Sequence, residues 1–243
     1  MPRGTVVILT RAEEDNAPLA RELRARDLTV IELPSVKIEP LADDTALVAA
    51  IRALGPDDRL VFTSRAGVDA ARRGMRGYEV RAPVAAVGPA TARRCAEWGI
   101  DAWIPSEPSG AALGRELAFG SGIVLLVRAD QADPALAREL AARGARVREV
   151  VAYRVIAGAR GDIEGARRAA LDGAAVVVAS PAAVEGLRAA IGNPAFASAR
   201  VIAIGPTTAR AVALALGEMP RIVREITPDA IVRELEERHV AHR

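Results

Sequence analysis

Along this chain, short runs of aliphatic and β-branched residues alternate with stretches in which apolar positions recur every three or four residues. That alternation predicts buried strands separated by amphipathic helices, the pattern of a parallel sheet covered on both faces. The first strand is expected over Thr5 to Thr10, followed by a polar loop from Arg11 to Asn16 and a helix from Pro18 to Arg26, with Leu19 and Leu23 on one face. Asp27 breaks that helix, and Leu28 to Ile38 is a second extended run containing Pro34. Pro40 to Leu54 predicts a helix stopped by the turn Gly55-Pro56-Asp57-Asp58, and Arg59 to Thr63 the next strand, with a helix beginning at Ser64-Arg65. A third unit runs from Pro83 to Trp98, then a short strand from Ala102 to Ile104 and a helix from Ala111 to Ala118. Arg146 to Ile156 is a long extended run, and Ala157 to Gly161 has the composition of a flexible linker.

The pattern occurs twice. Val84-Ala85-Ala86-Val87-Gly88-Pro89-Ala90-Thr91-Ala92-Arg93 returns as Val201-Ile202-Ala203-Ile204-Gly205-Pro206-Thr207-Thr208-Ala209-Arg210. Val6 to Ala12 returns as Ile123 to Ala129, and Phe62-Thr63-Ser64 as Val178-Ala179-Ser180. Arg11 to Arg128 and Gly88 to Gly205 are both steps of 117 positions, which marks a duplicated α/β unit. In each copy an apolar strand meets Gly-Pro and then an Ala/Arg-rich helix. Such a turn directs backbone N–H groups, the positive end of a helix dipole and threonine hydroxyls at one point, a site for anionic groups.

Composition narrows the chemistry. With 51% hydrophobic but only 3% aromatic residues, the core has to be built from Ala, Val, Leu and Ile. The formal charge of +2, with Lys37 the sole lysine and arginines alternating with acids without aromatic neighbours, gives no reason to expect a nucleic-acid partner. No apolar run reaches the length of a membrane span, no signal-peptide core follows Met1, and Cys95 has no cysteine partner. A cytoplasmic protein is expected.

There is no P-loop and no Gly-x-Gly-x-x-Gly. His239 and His242, the only histidines, lie in a charged tail, so neither a histidine base nor a His-ligated metal is expected. Cys95, inside a predicted helix, has a packing role. Arg11 and Arg128, at corresponding strand ends, read either as surface arginines or as carboxylate clamps at the carboxyl edge of a sheet. Ser64 and Ser180 read as helix caps or as ligand contacts, and Tyr153 as a half-buried strand tyrosine.

The order strand-Thr10-Arg11, Phe62-Thr63-Ser64-Arg65, Val87-Gly88-Pro89-Ala90-Thr91-Ala92, Val127-Arg128, Ala152-Tyr153-Arg154, Ala179-Ser180-Pro181 and Ile204-Gly205-Pro206-Thr207-Thr208-Ala209 resembles uroporphyrinogen-III synthase from about Val6 to about Leu235. The resemblance implies an α/β fold of two flavodoxin-like parallel-sheet lobes that have exchanged their first units. One lobe would comprise residues 1–33 and 157–243 and the other 38–151, joined by a two-stranded crossing ladder with a cleft between them. It implies a cofactor-independent hydro-lyase that closes hydroxymethylbilane to uroporphyrinogen III, losing water and inverting the last pyrrole ring. The departing hydroxyl leaves an azafulvene, which the terminal ring attacks through its substituted carbon to form a spiro intermediate.

By the same resemblance Tyr153 assists departure of the hydroxyl. Ser64, Gly88, Thr91, Ser180, Thr207 and Thr208 match the family's substrate-contact positions; Arg11, Arg65, Arg128 and Gly205, at the same strand ends and helix starts, are expected as further substrate contacts, and no residue is expected to bind metal. A monomer is implied, with hydroxymethylbilane synthase as a transient partner. Two departures stand out: Arg65-Ala66-Gly67 follows Ser64 where small polar residues are usual, and Ala90 stands opposite Thr207. The alternatives are a non-catalytic two-lobed protein that binds a tetrapyrrole or another anion, and a regulatory module, for which the short tail after Leu235 leaves no recognition helix.

Overall fold

A computed structural model describes residues 5–223 and 226–240, except the side chains of residues 14 and 238–240. His242 lies outside the described residues, as does the side chain of His239. The elements in the first half are β1 (Val6–Leu9), α1 (Glu13–Arg24), β2 (Thr29–Glu32), β3 (Val36–Pro40), α2 (Thr45–Arg52), β4 (Arg59–Phe62), α3 (Arg65–Gly74), β5 (Val84–Ala86), α4 (Pro89–Ala96), β6 (Ala102–Trp103) and α5 (Gly110–Glu116). The second half continues with β7 (Ile123–Ala129), α6 (Ala135–Ala142), β8 (Arg146–Ala157), α7 (Ile163–Leu171), β9 (Ala175–Val178), α8 (Pro181–Ile191), α9 (Asn193–Ser198), β10 (Arg200–Ile204), α10 (Gly205–Leu216), β11 (Arg221–Val223) and α11 (Pro228–Val240).

The strands form two sheets, ordered β11-β10-β9-β1-β2 and β3-β8-β7-β4-β5-β6. The chain divides into two compact units, 1–37 with 156–243 and 38–155. Within the first sheet β1 lies between β2 and β9, and within the second β7 lies between β8 and β4, all parallel. Strands that correspond in the repeat thus hold corresponding places, and each sheet combines the opening strands of one copy with later strands of the other.

Each sheet is covered on both faces, which is why its strands are continuous apolar runs. In the second unit Leu60, Phe62, Leu125 and Val127 face α2, α3 and α4, in a core that includes Leu47, Ile51, Val68 and Cys95. Val61, Val124 and Leu126 face α5 and α6 through Leu113, Leu136 and Leu140. The first unit repeats the arrangement, with Ile8, Val176 and Val178 against Val184, Leu187 and Phe196 on one side and Val7, Leu9 and Val177 against Leu19, Leu23 and Ile231 on the other.

Four local expectations change. Helix α1 starts at Glu13 instead of Pro18, taking in most of the expected loop. Asn16 explains this: fully buried, it donates from Nδ2 to the carbonyls of Leu9 and Arg11 and ties the first helical turn to the end of β1. The extended run from Leu28 is broken between β2 and β3, where Pro34 has no N–H to offer a ladder. The expected helix from Pro40 begins only at Thr45, whose N–H is held by the Asp43 carboxylate. The segment after Ala157 is anchored: the N–H groups of Gly158 and Arg160 bond the carbonyls of Ser35 and Pro34. A Cβ on Gly186 would lie 2.0 Å from the Ser35 carbonyl oxygen, so only glycine lets α8 approach this backbone.

Candidate functional site

Parallel strands put all their carboxyl ends on one edge, where helix N-termini begin. In the second unit that edge carries Ser64 after β4, Gly88 after β5, Arg128 near the end of β7 and Tyr153 on β8. Ser64 caps α3 in extended conformation, its Oγ accepting from the Gly67 N–H at 3.1 Å. A side chain at Gly67 would press on Val127 Cγ1 at 3.3 Å, so the glycine lets this helix start close to β7. The same Ser64 Oγ lies 2.8 Å from the Tyr153 hydroxyl, with either group able to donate.

Tyr153 is 8% exposed, packed in the α2–α4 core. A register shift puts it there. Arg128 pairs with Val151 and the next residue, Ala129, with Tyr153, so Ala152 is the extra residue of a β-bulge. Strict alternation would send Ala152 and Tyr153 to opposite faces, yet both belong to one core. Asp130 holds the bulge: its N–H donates to the Tyr153 carbonyl at 3.1 Å and its carboxylate accepts from the Val155 N–H at 3.2 Å. Asp130 was not expected to matter. Its one sequence signal is an acid directly after a strand, facing the tyrosine-bearing run.

Arg128 is turned the other way, toward α6. Its side chain is 7% exposed and bonds Glu149 at 2.6 Å and the Asp133 carbonyl, while its Nε has no partner. It lines a cavity of about 500 Å³ with Thr63, Val87, Arg115, Leu136 and Glu139. Gly88 is buried in extended backbone, because Pro108 packs where a Cβ would be, 2.6 Å away. Thr91 is buried beneath it, 5% exposed, and Arg65 is half-buried at the start of α3.

The first unit gathers Arg11, Ser180, Gly205, Thr207 and Thr208 on the corresponding edge of its own sheet. Ser180 caps α8 as Ser64 caps α3, accepting from the Ala183 N–H at 3.1 Å. Arg11 is half-exposed, 3.5 Å from Asp15. Gly205 has φ +73° with open space around it, Thr207 is exposed and Thr208 is buried. Among the described residues no group of three or more His, Cys, Asp or Glu is placed to hold a metal ion, and no helix is long and apolar enough to cross a membrane.

Comparison with known proteins agrees with this architecture. The structure is similar to uroporphyrinogen III synthase from Thermus thermophilus, in a mutant form (TM-score 0.54, 21% identity, covering 98% of this chain and 100% of that one). It is equally similar to the uroporphyrinogen-III synthetase of Helicobacter pylori (TM-score 0.54, 14% identity, covering 98% and 100%). At those identities the likeness establishes the fold, an α/β protein with two parallel-sheet domains. A curated uroporphyrinogen-III synthase from Synechococcus elongatus is 33% identical over 110 residues, 43% of this chain and 42% of that relative, so the match spans less than half of either. The family model described as uroporphyrinogen-III synthase HemD matches residues 17–232. On that match, which covers most of its length, the chain belongs to the uroporphyrinogen-III synthase family.

Proposed function

We propose that the protein closes hydroxymethylbilane to uroporphyrinogen III without a cofactor, in two flavodoxin-like lobes that arose by duplication and exchanged their first units. The observation that carries this reading is the Tyr153 hydroxyl, held 2.8 Å from Ser64 at the carboxyl edge of a parallel sheet in a chain of this family. The reaction asks little acid–base chemistry of the protein. The C–O bond of the hydroxymethyl group breaks, its electron pair leaves with the oxygen, and the Tyr153 phenol proton joins that oxygen to make water. The ring carbon that loses a proton as the macrocycle closes returns one to the phenolate. Since the free substrate closes unaided without inversion, the larger task is orientation.

Substrate carboxylates supply the handles for orientation. Exposed Thr207, half-exposed Arg11 and the helix starts at Ser180 and Gly205 are donors in one lobe. Arg65 and the turn at Gly88 and Thr91 serve the other. Arg128 is held by the Glu149 carboxylate and the Asp133 carbonyl.

The test is to add purified protein to freshly made hydroxymethylbilane, oxidise the products to porphyrins and separate the type I and type III isomers. Predominant type III is expected. Tyr153→Phe is expected to lower kcat by about 100-fold while keeping type III as the product. Only type I at the spontaneous rate would overturn the assignment.

A further inference from the structure

The contact between Ser64 and Tyr153 is more than a helix cap needs. Ser180 shows this within the same molecule: it has the same extended backbone and the same 3.1 Å bond from the third residue of its helix. Ser180 makes that cap with the same bond, so the cap by itself does not call for a phenol.

We propose that Ser64 is a positioning residue for Tyr153, accepting the phenol's hydrogen bond at rest and donating its own as the phenol gives up its proton. This rests on the synthase reading above. One lone pair of Ser64 Oγ is fixed by the Gly67 N–H, leaving a lone pair and a single proton to share with the phenol 2.8 Å away. A phenol is the stronger acid of the two, so with both groups neutral Tyr153 donates and Ser64 accepts. When the Tyr153 proton moves to the departing hydroxyl, the phenolate oxygen becomes an acceptor. Rotation about the serine Cβ–Oγ bond then brings the Ser64 proton onto it, with no heavy atom displaced. The N-terminus of α3 lies behind the serine, and its dipole favours negative charge at that position. Gly67 thus has a second function beyond close packing: its N–H keeps the serine oxygen on the line to the tyrosine.

Steady-state kinetics and one spectroscopic measurement test this. Ser64→Ala is expected to lower kcat about tenfold, the worth of one charge-assisted hydrogen bond, with KM changed less than about twofold. Ser64→Thr, which keeps the hydroxyl, is expected to restore most of the rate. On a Tyr153→Phe background Ser64→Ala is expected to cost less than about twofold. A full tenfold loss on that background, or a raised KM with unchanged kcat, would overturn the proposal, because the serine would then act on the substrate itself. Ser64→Gly, which keeps most of the capping preference, replaces Ser64→Ala if the latter does not fold.

The second arm needs no substrate. The chain has two tyrosines, so Tyr78→Phe leaves Tyr153 alone to give the ultraviolet Raman doublet that reports whether a phenol donates or accepts. Ser64→Ala is expected to shift that doublet, and Ser64→Thr and Ser180→Ala to leave it in place. An unchanged doublet in Ser64→Ala would overturn the proposal even if the rate falls. A wild-type protein that yields only type I isomer defeats the synthase reading, and the Raman arm still decides whether the two hydroxyls are coupled.

Discussion

The two Gly-Pro turns are the same sequence element built for different circumstances. At Gly88 the backbone is extended, a conformation open to any residue, and glycine is needed because Pro108 occupies the place of a side chain. At Gly205 nothing approaches within 4 Å, and glycine is needed because φ is +73°. The Gly88 turn is covered by Pro108 and the Gly205 turn is open at the glycine, although Ala90 and Thr207 are both exposed at the matching position. The arginines diverge in the same sense: Arg128 is buried against Glu149, whereas Arg11 is half-exposed and Glu32, the counterpart of Glu149, pairs with Arg24 instead. Residues that correspond in the sequence repeat therefore sit in different packing in the two units. In the covered copy the glycine and the arginine are packed in near a buried tyrosine, while in the open copy Arg11 and Thr207 reach the surface.

The largest expected effect that would break this contrast is at the arginines. Arg128→Ala removes a buried guanidinium and two of its bonds, and is expected to cost about 3 kcal/mol in urea unfolding. Arg11→Ala is expected to stay within about 0.5 kcal/mol, as exposed pairs do. Equal losses would mean that the two copies are used alike.

The glycines come next and separate two mechanisms. Gly88→Ala is expected to cost about 2 kcal/mol by overpacking, and Pro108→Gly should relieve part of that loss in a double-mutant cycle. Gly205→Ala is expected to cost about 1 kcal/mol through backbone strain, and Gly205→Asn less, since asparagine tolerates the left-handed region. Asparagine at position 88 should be worse than alanine, because there the obstacle is space.

Much of the fold was legible because the strands are short aliphatic runs and the repeat announces which of them correspond. Candidate residues Ser64, Gly88, Ser180 and Gly205 were legible as strand-to-helix junctions, positions that any parallel α/β unit places on one edge. What sequence could not show are events that depend on partners distant along the chain. The bulge at Ala152 turns Tyr153 into the α2–α4 core, and period-two alternation contains no sign of it. Asp130 matters because β8 happens to lie beside it, and Asn16 because its side chain reaches back to Leu9 and Arg11. Helix α9 is too short for a helical period to show. Pro18 pointed to the wrong helix start, because one turn precedes it and Asn16 secures that turn.

The smallest effect concerns the core, where the two copies agree. The step of 117 takes Cys95 to Val212, and both are fully buried on equivalent helices. If position 95 is only packing, Cys95→Val should change stability at neutral pH by less than about 0.5 kcal/mol, since it exchanges small apolar side chains. Its signature lies at alkaline pH. Burial pushes the Cys95 thiol up to about 11 from its ordinary 9.0, so above pH 9 the unfolded chain loses the thiol proton before the folded one does. The contribution of the neutral thiol is fully present below pH 9 and is lost as pH rises through about 11, and the wild type should weaken over that interval relative to Cys95→Val. Urea midpoints of both proteins at matched pH values measure the difference. Parallel curves would mean that the thiol ionises as readily folded as unfolded, and that the covered copy is looser at α4 than its packing implies.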